Sequence, residues 1–346
     1  MEPFQIILWL VIAAAFVGLI YVTARQAFSG TITLVAWLGM GLLTIVVALY
    51  NPISGDFFPE IINTRPLRFW VDDGLEWVVR YWGDGFEAAA HPLLLLLINI
   101  EKVLLAIPWW YMVVIFTGLA FLATRRAGLP LMVAAGLIFM GMMELWEDSV
   151  RTMALMIAAT ITAIIVSIPT GIFMARSARF RKFMVPVLDL MQTLPSFVYL
   201  IPVVMIFGPG KVPALIATII YAAPPLVRLT DLGIRMVDPD VMEATRAFGT
   251  SPRQRLFGVQ IPLAMPTILA GVNQTTMMAL AMVVIASMIG AGGLGYQVLQ
   301  GIGRLEVSRG LFAGLGIVAL AIIFDRVTQA FGKRLQARIG LAEKVS

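Results

Sequence analysis

The chain has no cysteine and a single histidine, His91, in 346 residues. The first absence excludes disulfides and thiolate metal sites and leaves the redox compartment open. The second leaves little for imidazole catalysis or a histidine-rich metal centre. Charge is scarce too: Asp, Glu, Lys and Arg make up 13% of the residues, against about 25% in a soluble domain. The lysines are Lys102, Lys182, Lys211, Lys333 and Lys344, and none lies in a G-x4-G-K-[ST] context. The chain therefore encodes no phosphate-cradling P-loop, and any ATP hydrolysis belongs to a separate chain. What is present is oil. Hydrophobic residues make up 60% of the sequence, the mean hydropathy is +0.92, and apolar runs recur at about 20 residues, the length that crosses a bilayer as a helix.

This predicts an all-α membrane protein with about nine transmembrane helices, over 4–23, 31–50, 103–123, 128–145, 152–174, 184–207, 212–230, 263–290 and 309–329. Glu2 precedes the first apolar run and Arg25 follows it, the reverse of a secretory signal's basic start, so the run reads as a retained span. With the N-terminus outside and the C-terminus cytoplasmic, the greater part of the Lys and Arg residues falls on inner loops. The net charge of +5 is then an inner-loop bias and calls for no nucleic acid.

The expected organisation is two N-terminal helices (1–50), an extracytoplasmic or interfacial connection (51–102), two further helices (103–145), a core (146–331) and a cytoplasmic tail (332–346). Within Phe69–Trp82, Asp72, Asp73, Glu76 and Arg80 share one helical face, and Trp70, Trp77, Tyr81 and Trp82 fill the rest. That pattern predicts a helix lying in the membrane interface with its tryptophans at headgroup depth; a ligand cage is the alternative.

One stretch is polar and punctuated: DPDVMEATRAFGTSPRQRLFGVQIP, residues 238–262, within an inner loop 231–262. Asp238 before Pro239 is an N-cap with proline at the first helical position. Gly249 supplies a left-handed stop. Ser251 and Pro252 restart a second short helix, with Pro262 expected to end it. The stretch encodes helix, glycine turn, helix, a shape suited to being gripped by a soluble partner.

Glu243, Ala244, Gly249, Val259, Ile261 and Pro262 match the spacing of the E-A-A-x3-G-x9-I-x-L-P motif of importer-type ABC permeases, with Thr245 at the third position. LDLMQTLPSFVYLIPVVMIFG (188–208), the stretch 243–277 and VVIASMIGAGGLG (283–295) resemble the permease subunit of glycine betaine/proline betaine uptake systems. The resemblance covers about 145 to 331 and implies a five-helix permease core whose hairpin is the coupling helix. Glu243, Ala244, Arg246, Gly249, Arg253 and Pro262 would engage the ATPase. It also implies two ATP-binding subunits holding ATP and magnesium, an external substrate-binding protein and a second permease copy, all working on the lipid bilayer by alternating access in osmoprotection. No cofactor, metal or catalytic residue is expected on this chain. The extra N-terminal helices depart from the best-known members.

Mid-membrane polar groups are costly unless they face protein or water. Gln192, Thr193, Ser196, Tyr199, Asn273 and Gln274 are therefore candidates for the translocation path, with Phe197 and Met277 taken beside them on the same spans. Each also fits helix–helix hydrogen bonding or packing, as do Met278, Met282 and Met288. Asp189 either attracts a cationic solute or pairs with Arg179, Arg181 or Lys182, and Asp325 beside Arg326 reads as interfacial. Gly290, Gly292 and Gly295 spell G-x-G-x-x-G, but at the outer end of a span, where a flexible turn fits and a dinucleotide site does not. The rival functions are the same importer carrying choline, carnitine, trimethylamine N-oxide or an amino acid; an ion-coupled secondary transporter, which would want more buried carboxylates; and a membrane enzyme, which would need a catalytic cluster.

Overall fold

The computed structural model describes residues 3–24, 30–50 and 65–343, all helix and short connections with no strand among them. Arg25, residues 51–64 of the outer connection and residues 344–346 of the tail lie outside the described residues. The chain divides into two units, Met1–Val71 and Asp72–Ser346. In the first, α1 (Pro3–Ala24) packs against α2 (Gly30–Tyr50), with Phe16 and Trp37 ring centroids 5.9 Å apart.

The second unit is built around α6 (Trp146–Arg176), α9 (Lys211–Arg235) and α12 (Ile261–Met288). In lipid there is little hydrophobic force between helices, so close packing of small residues does the work. Ala154, Ala158, Ala159, Ala214, Ala222, Ala279 and Ala286 share one buried cluster. A Cβ on Gly171 of α6 would stand 2.7 Å from the Val227 carbonyl of α9. Pro224 and Pro225 remain inside α9, and Ser167 and Thr275 donate to its Ala223 and Ala222 carbonyls at 3.2 and 2.8 Å. Hydroxyls from both neighbours thus bond the carbonyls just before the proline pair.

Around this trio lie α4 (Trp109–Thr124), α5 (Gly128–Met142) and α14 (Val307–Glu343), joined in a cluster with Met112, Val133, Leu137, Met140, Met153 and Leu320 buried. Short α13 (Leu294–Arg304) folds back on α14.

Several boundaries differ from those expected. The segment over 103–123 is broken at Ile107–Pro108; its first residues finish a long helix, α3 (Arg65–Ala106). Pro108 lacks an N–H and pushes its predecessor out of helical geometry. By length and composition α3 could itself cross a membrane. The segment over 184–207 is two helices, α7 (Ala178–Thr193) and α8 (Ser196–Phe207), bent by 97° at Leu194–Pro195. Among the described residues, five helices are long and apolar enough to span, or six with that bent pair, beside four shorter apolar ones. Each of the nine expected spans has a counterpart among them, and α3 is a further candidate in the stretch expected to be an outer connection.

Candidate coupling hairpin and pathway

The hairpin is α10 (Pro239–Ala247), a glycine turn and α11 (Pro252–Arg255). Asp238 caps α10 by accepting from the Asp240 amide at 2.8 Å. Gly249 sits at φ +73°, and the Thr250 amide reaches back to satisfy the Thr245 carbonyl at 3.3 Å. Ser251 and Gln254 form a reciprocal capping box at 3.3 and 2.8 Å. The Arg176 guanidinium at the end of α6 donates to the Pro252 carbonyl at 3.3 Å and ties the hairpin to the core.

Pro262 does not end the second helix. The chain passes from α11 through a π-turn, Leu256–Gln260, directly into α12, with the Ile261 amide bonding to the Leu256 carbonyl. In a regular α-helix the Pro262 ring would collide with the Gly258 carbonyl; one widened turn makes room for it. The hairpin is therefore continuous with α12 through one irregular turn.

Its surface is unspent. Glu243, Ala244, Arg246 and Arg253 are exposed, and among the described residues neither Glu243 nor either arginine has an ion-pair partner. Phe248 is 87% exposed and Phe257 66%. Two bare phenylalanines on a charged, capped hairpin make an apolar anchor with a polar rim, the layout of a protein interface.

The pathway candidates do not form one cluster. Gln192, Thr193 and Phe197 are exposed around the α7–α8 bend, and Ser196 opens α8 half-buried. Tyr199 packs with Tyr221 and Met282 between α8, α9 and α12, its hydroxyl buried without a partner among the described residues. On α12, Met277 is half-buried and Gln274 exposed, whereas Asn273 donates to Asp325 of α14 at 3.2 Å. Asp325 also accepts from Gln329 at 2.7 Å, so it binds two amides and not Arg326. Asp189 pairs with Arg228 of α9, not with the basic residues of its own helix.

At the other end of α12, Gly290, Gly292 and Gly293 all take positive φ. The turn is pinned: the Thr152 hydroxyl of α6 accepts the Leu294 amide at 2.9 Å, and Ser287 donates to the Gly292 carbonyl at 2.9 Å. The expected turn is present and carries two side-chain hydrogen bonds, and Gly295 lies in α13.

Two ion clusters escaped the sequence reading. Asp231, 4% exposed, accepts from Arg181 at 3.1 Å and from Arg235 at 2.9 and 3.0 Å. Glu101 of α3 accepts from Lys211 at 2.6 Å and lies 3.8 Å from Arg151. Only the Asp231–Arg235 pair, four apart on one helix, carried a local signal.

Residues 167–337 match the family of binding-protein-dependent transport system inner membrane components. The chain is 48% identical to the glycine betaine/proline betaine transport system permease protein ProW of Escherichia coli, over 79% of this chain and 77% of that one. It is 40% identical to the glycine betaine/carnitine transport permease protein GbuB of Listeria monocytogenes, over 80% and 99%. Among solved structures, a chain of the inward-facing MetNI methionine ABC transporter superposes with a TM-score of 0.51 at 18% identity, covering 56% of this chain and 97% of that chain. That likeness concerns the fold alone. The chain belongs to the binding-protein-dependent ABC permeases, in the family that holds the glycine betaine/proline betaine permeases.

Proposed function

We propose that this chain is the membrane-spanning subunit of an ATP-driven importer for betaine-type or related methylated-amine solutes. The observation that carries the proposal is the hairpin: capped at both helix starts, locked by Gly249, fused to α12, with two bare phenylalanines and unpaired charges facing outward. Such an element is preorganised for a soluble partner, here a pair of ATPase subunits. Their closure on ATP would draw the hairpins of two permease copies together and open the path toward an external binding protein. The solute class rests on the relatives' names. A quaternary or trimethylated nitrogen donates no hydrogen bond and is recognised by aromatic faces, a role we assign to the binding protein. The N-terminus lies outside and the C-terminus in the cytoplasm.

The test is ATP hydrolysis by the reconstituted complex, with its own ATPase and binding protein, across glycine betaine, proline betaine, choline, carnitine, trimethylamine N-oxide and amino acids. Stimulation by a methylated amine supports the reading. Stimulation by an amino acid alone overturns the solute class, and failure of the ATPase to assemble overturns the coupling role.

A further inference from the structure

A cavity of about 480 Å³ lies at the inner ends of α6, α7 and α9, apart from the pathway candidates. One wall is apolar: Met174, Ala175, Ala178, Val185 and Pro186. The other is cationic: Arg181, Lys182 and Arg235. The buried Asp231 holds both arginines by their Nε atoms, at 3.1 and 2.9 Å. It neutralises one of three positive charges. Asp189, the one carboxylate on α7, is taken by Arg228. The cavity thus keeps a net positive charge, with its two arginines held in place from behind.

We infer that this cavity binds the headgroup of an anionic phospholipid of the inner leaflet. Three features select a lipid. The cations border an apolar wall, which suits a phosphate attached to a glycerol and acyl chains and gives nothing to a small hydrophilic anion. Phe183, next to Lys182, is 67% exposed, and Leu190 on the same helix is 57% exposed, so α7 offers an oily flank beside the charged site. Basic pockets between helix ends at the cytoplasmic face are where the leaflet's negative lipids concentrate. Arg235 is the last residue of α9 and stands three residues before the cap of the hairpin, so an occupied cavity braces the base of the coupling element. The inference does not depend on which solute is carried.

The experiment is native mass spectrometry of the full chain released from nanodiscs containing equal phosphatidylglycerol and phosphatidylcholine, counting the lipid retained. Phosphatidylglycerol is expected to stay bound and phosphatidylcholine to be lost. Lys182→Gln leaves the Asp231 clamp untouched and is expected to cut retention about five-fold, the effect of one interfacial cation, while Lys182→Arg restores it. Val185→Trp fills the cavity without changing charge and is expected to abolish retention. Equal retention of the two lipids overturns the inference. So does a Lys182→Gln protein that keeps its phosphatidylglycerol. Release of the lipid by millimolar inorganic phosphate would reassign the site to a soluble phosphate.

Discussion

The turn at Gly249 can be tested separately from the surface around it. Gly249 has φ +73°, and a Cβ built there meets nothing within 4 Å. A substitution therefore costs backbone energy alone. An L-residue in this region costs about 1–2 kcal/mol, asparagine tolerates it better, and a β-branched residue is a genuine outlier. If the docking-competent turn is disfavoured by that amount, ATPase affinity falls by about five- to thirtyfold. The expected order is Gly, then Asn, then Ala, with Val weakest. The assay is titration of the purified ATPase onto permease in nanodiscs, with thermal stability of the membrane part unchanged throughout because no core residue is touched. Equal affinity across the series would refute the turn argument. Asn and Ala equally impaired would mean that Gly249 is itself the contact surface and its conformation is incidental.

Three further outcomes are expected. Gly171→Ala places a Cβ 2.7 Å from the Val227 carbonyl, a backbone atom that cannot swing away; the protein should lose about 1–3 kcal/mol, seen as a lowered Tm in detergent. Asn273→Leu removes a bond between α12 and α14 and should lower Tm, whereas Gln274→Leu, at an exposed position, should keep Tm and lower solute uptake; the reverse pattern moves the path to the α14 side. Because the natural chain has no cysteine, Glu76→Cys gives a single label. It should react with an impermeant maleimide added outside intact cells, and reaction only in inside-out vesicles would reverse the sidedness of the N-terminal half.

The hairpin was legible because its signals are local. Asp-Pro, Ser-Pro and an isolated glycine each act within one helical turn, and each did so in the structure. Proline was less informative inside the membrane. Pro169, Pro186, Pro202, Pro224 and Pro225 remain within helices, whereas Pro195 marks a 97° bend. Beside Pro224 and Pro225 the helix carbonyls are bonded by Ser167 and Thr275 from other helices, 56 and 53 residues distant from their acceptors. No local pattern announces such a partner. Ion pairing follows the same logic. Asp189 had basic residues on its own helix and took Arg228, 39 residues away, because helix packing decides which charges meet.

If the hairpin is the coupling element, the same packing would carry its motion into the membrane helices. α9 enters it and α12 leaves it, and the two are closely packed behind it. Gly233 of α9 brings its backbone against Ala264 and Thr267 of α12, where an added Cβ would stand 3.2 and 3.0 Å from their Cβ atoms. Farther in, Gly271 of α12 lies against Leu226, with 3.1 Å between its hypothetical Cβ and the Leu226 Cα. Contacts this tight between backbones resist sliding, because close-packed interiors have discrete arrangements and little compliance. A push on Phe248 and Phe257 is therefore delivered to a stiff pair of helices, with α12 extending about 42 Å at the ordinary helical rise. The compliant point is the π-turn before Pro262, where helical hydrogen bonding is already irregular. Any flexing of the hairpin relative to α12 should concentrate there, and elsewhere the pair should move as one body.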